Sequence, residues 1–208
     1  MESQITEKQT DFQTLNLPNG EVYAYREAGN SDRVLVLLHC FGGSSLLYRS
    51  FFPKFTDSFR VVAFDLRGHG NSSYNDKVCK IEDFVEDVKQ AVDLLGLKKF
   101  SILGWSFGGA TALKFAADYP DYVENVITLS AFGAKGLPTF KTDENGVQTN
   151  ERVQTEEETL KSPFIMLLLD IIGTQDAVQV RQVLNSALYN GKGGHDTEMV
   201  NIHADTFL

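Results

Sequence analysis

The chain has 208 residues, 42% of them hydrophobic and 23% charged, with 17 Gly and 5 Pro. This is close to the globular average, which excludes disordered, collagenous and coiled-coil chains and leaves room for one domain of ordinary size plus an insertion. Its 28 Asp and Glu against 19 Lys and Arg give a formal charge of −9, so phosphate backbones and anionic bilayer surfaces repel it and sequence-independent nucleic-acid binding is disfavoured.

From the amino terminus, Met1 to Lys8 has neither a basic start nor an apolar run and does not read as a secretory signal. Phe12 to Leu17 and Glu21 to Arg26, separated by Pro18-Asn19-Gly20, predict two strands around an Asn-Gly turn. Val34 to Leu38 follows, a continuous apolar run of the kind buried on both faces of a parallel sheet. Val61 to Phe64, Phe100 to Leu103 and Val126 to Leu129 repeat the pattern, which predicts four buried strands. Between them, Ile81, Phe84, Val85, Val88, Val92 and Leu95 recur at helical spacing before Gly96. A second helix is expected from about Ser106, carrying Ala110, Leu113, Phe115 and Ala117, with Asp118-Tyr119-Pro120 ending it. Strands alternating with helices imply right-handed crossovers in a mostly parallel sheet with helices on both faces, an α/β fold.

After Ser130 the character changes. Lys141 to Leu160 is acidic and polar and reads as a solvated insertion, in which Asn145-Gly146 could turn a small hairpin. Pro163 to Ile172 and Ala177 to Leu188 predict two further helices. The apolar run Phe164 to Ile172 falls short of the roughly 20 residues that span a bilayer. Cys40 and Cys79 could form one bridge at most, and their spacing suggests neither a disulfide framework nor a zinc site. A soluble cytoplasmic protein without cofactor or metal is expected, its oligomeric state left open.

Three segments carry chemistry. Gly104-Trp105-Ser106-Phe107-Gly108 stands where a strand gives way to a helix, the context of the Gly-x-Ser-x-Gly nucleophile elbow. Bulky residues two places either side of the serine would collide in so tight a turn, and the turn raises the serine at a helix amino terminus. His39-Cys40-Phe41-Gly42-Gly43-Ser44 follows the first apolar strand. A serine hydrolase needs at this position a loop that aims a backbone N–H at the oxyanion, partnered by the N–H of the residue after the nucleophile; Phe41 and Phe107 would be those donors. Asp65-Leu66-Arg67-Gly68-His69-Gly70 follows the next strand, with Asp65 and Arg67 expected to fix the loop by charge-assisted hydrogen bonds. His39 and His69 read as structural histidines.

Together these segments, in this order over residues 12 to 135, resemble the α/β-hydrolase superfamily, in its branch of esterase, lipase, peroxidase-like and carbon–carbon bond hydrolases. The resemblance implies a core over residues 1–135 and a helical cap over 136–208. It also implies that Ser106 attacks an ester-like carbonyl of a small acyl or ester substrate. The serine counts against the family's epoxide hydrolases and haloalkane dehalogenases, which usually carry aspartate there.

Two departures stand out. Cys40 occupies a position where family members usually have glycine, so the loop must hold a thiol. In addition, the family's acid and histidine follow the cap at the ends of two further strands, in the order Ser, Asp or Glu, His, and those strands are not legible. Asp176 and His195 have the right order, but the intervening helix leaves no apolar strand to deliver the histidine, so His195 and His203 read as surface histidines of the cap. The alternatives to an active hydrolase are therefore a truncated or incompetent chain, apparently lacking its last core strands, and a non-catalytic binding module that kept the pocket.

Overall fold

The computed structural model describes residues 11–78, 80–132, 139–143, 145, 147–174 and 177–183. They fall into two units, Met1–Phe132 and Gly133–Leu208. In the first, β1 (Gln13–Asn16) and β2 (Val22–Ala28) form the expected hairpin, with Asn16 paired to Val22. Residues 17–21 connect them, a wider loop than a tight Asn19-Gly20 turn. It is closed by Gly20 N–H to Leu17 O (3.0 Å) and Leu17 N–H to Glu21 O (2.8 Å), with Gly20 at φ +90°.

The three apolar runs that follow become β3 (Val34–Leu38), β4 (Arg60–Phe64) and β5 (Phe100–Trp105), nearly every residue of which is buried. Strand order is β1-β2-β4-β3-β5, continued by β6 (Val123–Leu129). β4, β3, β5 and β6 run parallel, and β2 is antiparallel both to β4 and to β1. Helices α2 (Ile81–Leu94) and α3 (Phe107–Asp118) occupy the connections on either side of β5. Val85, Val88, Ala91 and Val92 of α2 and Ala112 and Phe115 of α3 pack with Val36, Leu38, Val62, Phe64 and Ile102 into one core. A second cluster joins Leu35, Leu37, Val61, Ala63 and Leu103 to Tyr48 and Phe52. The last two residues belong to a 3-10 turn (Ser45–Tyr48) and to the short α1 (Phe52–Phe55). A strand run with no polar position is thus explained: each face of β3 and β4 meets its own apolar cluster.

The fourth apolar run forms a strand that is not buried like the other three, the exposed edge expected of Val126–Leu129 where the last core strands are missing. Among the described residues β6 is the outer strand of the sheet, and its Ile127 and Leu129 are 42% and 39% exposed. Only Val123 and Val126 pack against the first core.

In the second unit, β7 (Phe140–Thr142) and β8 (Gln148–Arg152) form an antiparallel hairpin, so the acidic insertion is partly folded. α4 (Glu156–Leu160) starts at Thr155, whose Oγ1 accepts from Glu158 N–H at 3.2 Å, an N-cap. α5 (Pro163–Thr174) and α6 (Ala177–Val183) follow, and residues 184–188 of the last expected helix lie outside the described residues. Among the described residues no helix is long and apolar enough to cross a membrane.

Candidate active site

Because β4, β3 and β5 are parallel neighbours, their carboxyl ends open on one edge of the sheet, where ligands of open α/β sheets bind. Three connections leave that edge side by side. The loop after β3 (39–44) lies between the loop after β4 (65–73) and the turn from β5 into α3. The three segments singled out in the sequence are these three connections.

The turn from β5 into α3 pivots on Ser106, which has φ +54° and ψ −111°. A side chain in this left-handed region costs on the order of 1–3 kcal/mol and persists only where the surroundings enforce it. Ser106 N–H donates to Leu129 O of β6 (2.8 Å), and Ser106 O accepts from Gly109 N–H (3.0 Å) and Ala110 N–H (3.2 Å). The flanking glycines are required by contact: a Cβ on Gly104 would stand 2.1 Å from Gly108 O, and one on Gly108 would stand 2.2 Å from Leu38 O and 2.5 Å from His39 O. That last approach also fixes the start of α3 directly against the end of β3. Phe107 N–H is the first of α3 and has no intrahelical acceptor. Ser106 is partly exposed, and its side chain makes no cap bond.

The two loops after β3 and β4 brace one another. Asp65, fully buried, accepts from Ser45 N–H at 2.6 Å and from Asn71 N–H at 2.9 Å. In the opposite direction, His39 Nε2 accepts from Leu66 N–H at 2.9 Å. His39 Nδ1 lies 2.7 Å from Cys40 O and must therefore carry the proton. With both ring nitrogens engaged and no exposure, His39 is a structural brace and cannot act as a base. Cys40 is buried, and burial pushes its thiol up to about 12, so it stays protonated and unreactive through the neutral range.

Farther from the sheet edge, Arg67 anchors the second loop. Its Nε and Nη2 donate to the two carboxylate oxygens of Asp87 on α2, at 2.7 and 2.5 Å, and its Nη1 lies 3.5 Å from Glu21. Asp87 also accepts from Asn19 Nδ2 (2.7 Å), and Glu21 accepts from Ser73 Oγ and from the N–H groups of Asn75 and Asp76. Burial alone would raise the Glu21 pKa. The bonds from Ser73, Asp76 and Asn75, with the charge of Arg67, outweigh burial and hold it below the ordinary 4.5. The β1–β2 connection, the loop after β4 and α2 are thus tied at one buried ionic node. The sequence pointed to Asp65 and Arg67 but not to Asn19, Glu21 and Asp87, whose roles depend on contacts far apart in the chain.

Of the expected site residues, Ser106, Phe41 and Phe107 lie on the two adjacent connections, with the side chains in different places. The Phe107 ring packs edge-on to Phe84 of α2 (centroids 4.9 Å), whereas Phe41 is 44% exposed and edge-on to His69 (5.6 Å). Asp176, His195 and His203 lie outside the described residues. Among the described residues no group of three or more His, Cys, Asp or Glu could hold a metal ion.

Residues 33–177 match the family model described as alpha/beta hydrolase fold. The chain is 36% identical to "Serine hydrolase-like protein" of Danio rerio over 129 residues, 61% of this chain and 39% of that one. It is 37% identical to "Serine hydrolase BPHL" of Homo sapiens over 136 residues, 62% of this chain and 44% of that one. The crystal structure of Cfl2 from Burkholderia cenocepacia superposes with a TM-score of 0.70 at 21% identity, covering 94% of this chain and 65% of that one, a likeness of fold. The chain thus spans less than half the length of these two curated relatives.

Proposed function

The chain belongs to the alpha/beta hydrolase fold family, and we propose that within it the protein is a serine hydrolase acting on an ester-like bond of a small molecule, with Ser106 as nucleophile. The observation that carries this reading is the strained backbone of Ser106, at φ +54° between a buried strand and a helix amino terminus. Ser130 shares a positive φ (+46°), but of the two only Ser106 stands at the start of a helix between glycines where an added Cβ would clash. Relatives named serine hydrolases support it.

In this mechanism Ser106 Oγ adds to the substrate carbonyl carbon while a base takes the hydroxyl proton. The carbonyl oxygen becomes an oxyanion, held by the N–H groups of Phe41 and Phe107, one on each connection. Collapse expels the leaving alcohol, which takes up that proton, and leaves an acyl-enzyme for water to hydrolyse. Removing one such donor typically costs about 10²–10³ in rate. By the family resemblance, residues 136–208 would belong to a helical cap.

Asp176 and His195 have the family's order but read as residues of the cap, so they enter the test only as the compressed alternative for acid and base. A second reading is a chain that keeps the pocket without turnover, since the sequence after Ala177 to Leu188 shows no apolar strand to deliver a histidine. A fluorophosphonate probe with mass-spectrometric site mapping separates the two. An adduct on Ser106 that is lost in Ser106→Ala and slowed at least 100-fold in His195→Ala supports the complete triad. An adduct indifferent to His195→Ala excludes His195 as the base, and no adduct sinks the nucleophile assignment.

A further inference from the structure

His69 differs from His39 in one respect. Its Nδ1 lies 2.9 Å from Arg67 O, and since a carbonyl oxygen only accepts, Nδ1 carries the proton and Nε2 presents a lone pair. That lone pair finds no partner among the described residues, and the side chain is neither fully exposed nor sealed off. Of the described histidines, His39 has both ring nitrogens bonded and His69 has one. Burial lowers the His69 pKa below the ordinary 6.5, against the bond to Arg67 O and the charge of Asp65, so the ring is neutral at pH 7.

The position of the ring gives this free acceptor a use. His69 leaves the carboxyl end of β4, the neighbour of β3, and its ring lies 5.2 Å from the buried His39 ring and 5.6 Å from the exposed Phe41 ring. It therefore stands on the opposite side of the 39–44 loop from Ser106, next to the residue whose N–H is assigned to the oxyanion. We propose that His69 is a specificity-determining residue whose Nε2 accepts a hydrogen bond from a hydroxyl or N–H carried by the substrate close to its scissile carbonyl. This inference rests on the assignment of Ser106 as the reacting centre. The substrate class it selects is esters bearing a donor near the carbonyl, such as 2-hydroxy esters, over their unsubstituted counterparts. His69 is not the base for Ser106, to which it makes no hydrogen bond.

The test uses the full chain as Ser106→Ala, so that esters bind without being consumed, with ¹⁵N-labelled histidine. Methyl 2-hydroxyhexanoate and methyl hexanoate are titrated while the His69 ring nitrogens are followed by NMR. The expected result is an unprotonated Nε2 in the free protein that shifts with the hydroxy ester and not with the plain ester. Binding of the hydroxy ester should be about three- to ten-fold tighter, the worth of one neutral hydrogen bond. Adding His69→Phe should erase that preference, and His69→Gln, which keeps an acceptor oxygen, should retain part of it. A protonated Nε2, an equal response to both esters, or no response to either overturns the proposal. Fluorophosphonate labelling of the wild-type chain reads the other assignment separately. A donor-dependent shift in a protein whose Ser106 takes no label supports the His69 contact and counts against the nucleophile alone, whereas a labelled Ser106 without the shift counts against His69 alone.

Discussion

Val34–Leu38 and Val126–Leu129 are nearly interchangeable as sequence, yet they meet opposite surroundings. β3 lies between two parallel neighbours with an apolar cluster on each face, and all five of its residues are buried. Among the described residues β6 has one neighbouring strand, and its Ile127 and Leu129 are exposed. An apolar run therefore reports that a strand forms, while its rank in the sheet decides what the strand is worth. The difference matters for chemistry because the proposed site grows from the buried side: β3, β4 and β5 deliver its three connections, and β6 contributes only the Leu129 carbonyl that steadies Ser106.

The contrast can be strained first at the ionic node. Arg67→Ala leaves the buried Asp87 carboxylate without its charge partner, and chemical denaturation should show a loss of about 3–5 kcal/mol; a loss under 1 kcal/mol would mean that the node is solvated. Next comes a matched pair across the sheet. Leu37→Ala should cost about 2–5 kcal/mol as a cavity in a closed core, and Ile127→Ala should fall within about 1 kcal/mol of the parent. Equal costs would show β6 to be buried in solution.

A smaller effect is expected from acid. Because the folded pKa of Glu21 is depressed, its carboxylate contributes its stabilisation in full above the ordinary 4.5 and loses it as pH falls through the lowered value. The stability difference between the parent and Glu21→Gln should be widest at neutral pH and shrink below about pH 4.5, and a difference that grows in acid would reverse the sign assigned to Glu21. Smallest of all, Cys40→Ala should shift stability by about 1 kcal/mol and leave fluorophosphonate labelling unchanged. A strong loss of labelling would make the thiol part of the reacting centre.

Much of this was legible in the sequence, because periodicity and turn chemistry are local. The runs at 34–38 and 61–64, the amphipathic spacing of 81–95 and the Gly-x-Ser-x-Gly at a strand-to-helix junction each carry their own signal, and each falls in the expected element. What escaped was set at a distance. The convergence of Asn19, Glu21, Arg67 and Asp87 joins residues whose neighbours in sequence say nothing of one another. His39 and His69 look alike as histidines after strands. Only the bond from Leu66 N–H to His39, without a counterpart on His69, separates a brace from an open acceptor.

The central claim is that the strained turn at Ser106 exists to present a nucleophile, and the most direct measurement is where a fluorophosphonate attaches to the full chain. A single phosphonyl adduct on Ser106, absent from Ser106→Ala while that variant keeps the parent's unfolding midpoint within a few degrees, is the predicted result. No adduct at Ser106 in the folded chain, or labelling that persists in Ser106→Ala, would contradict it.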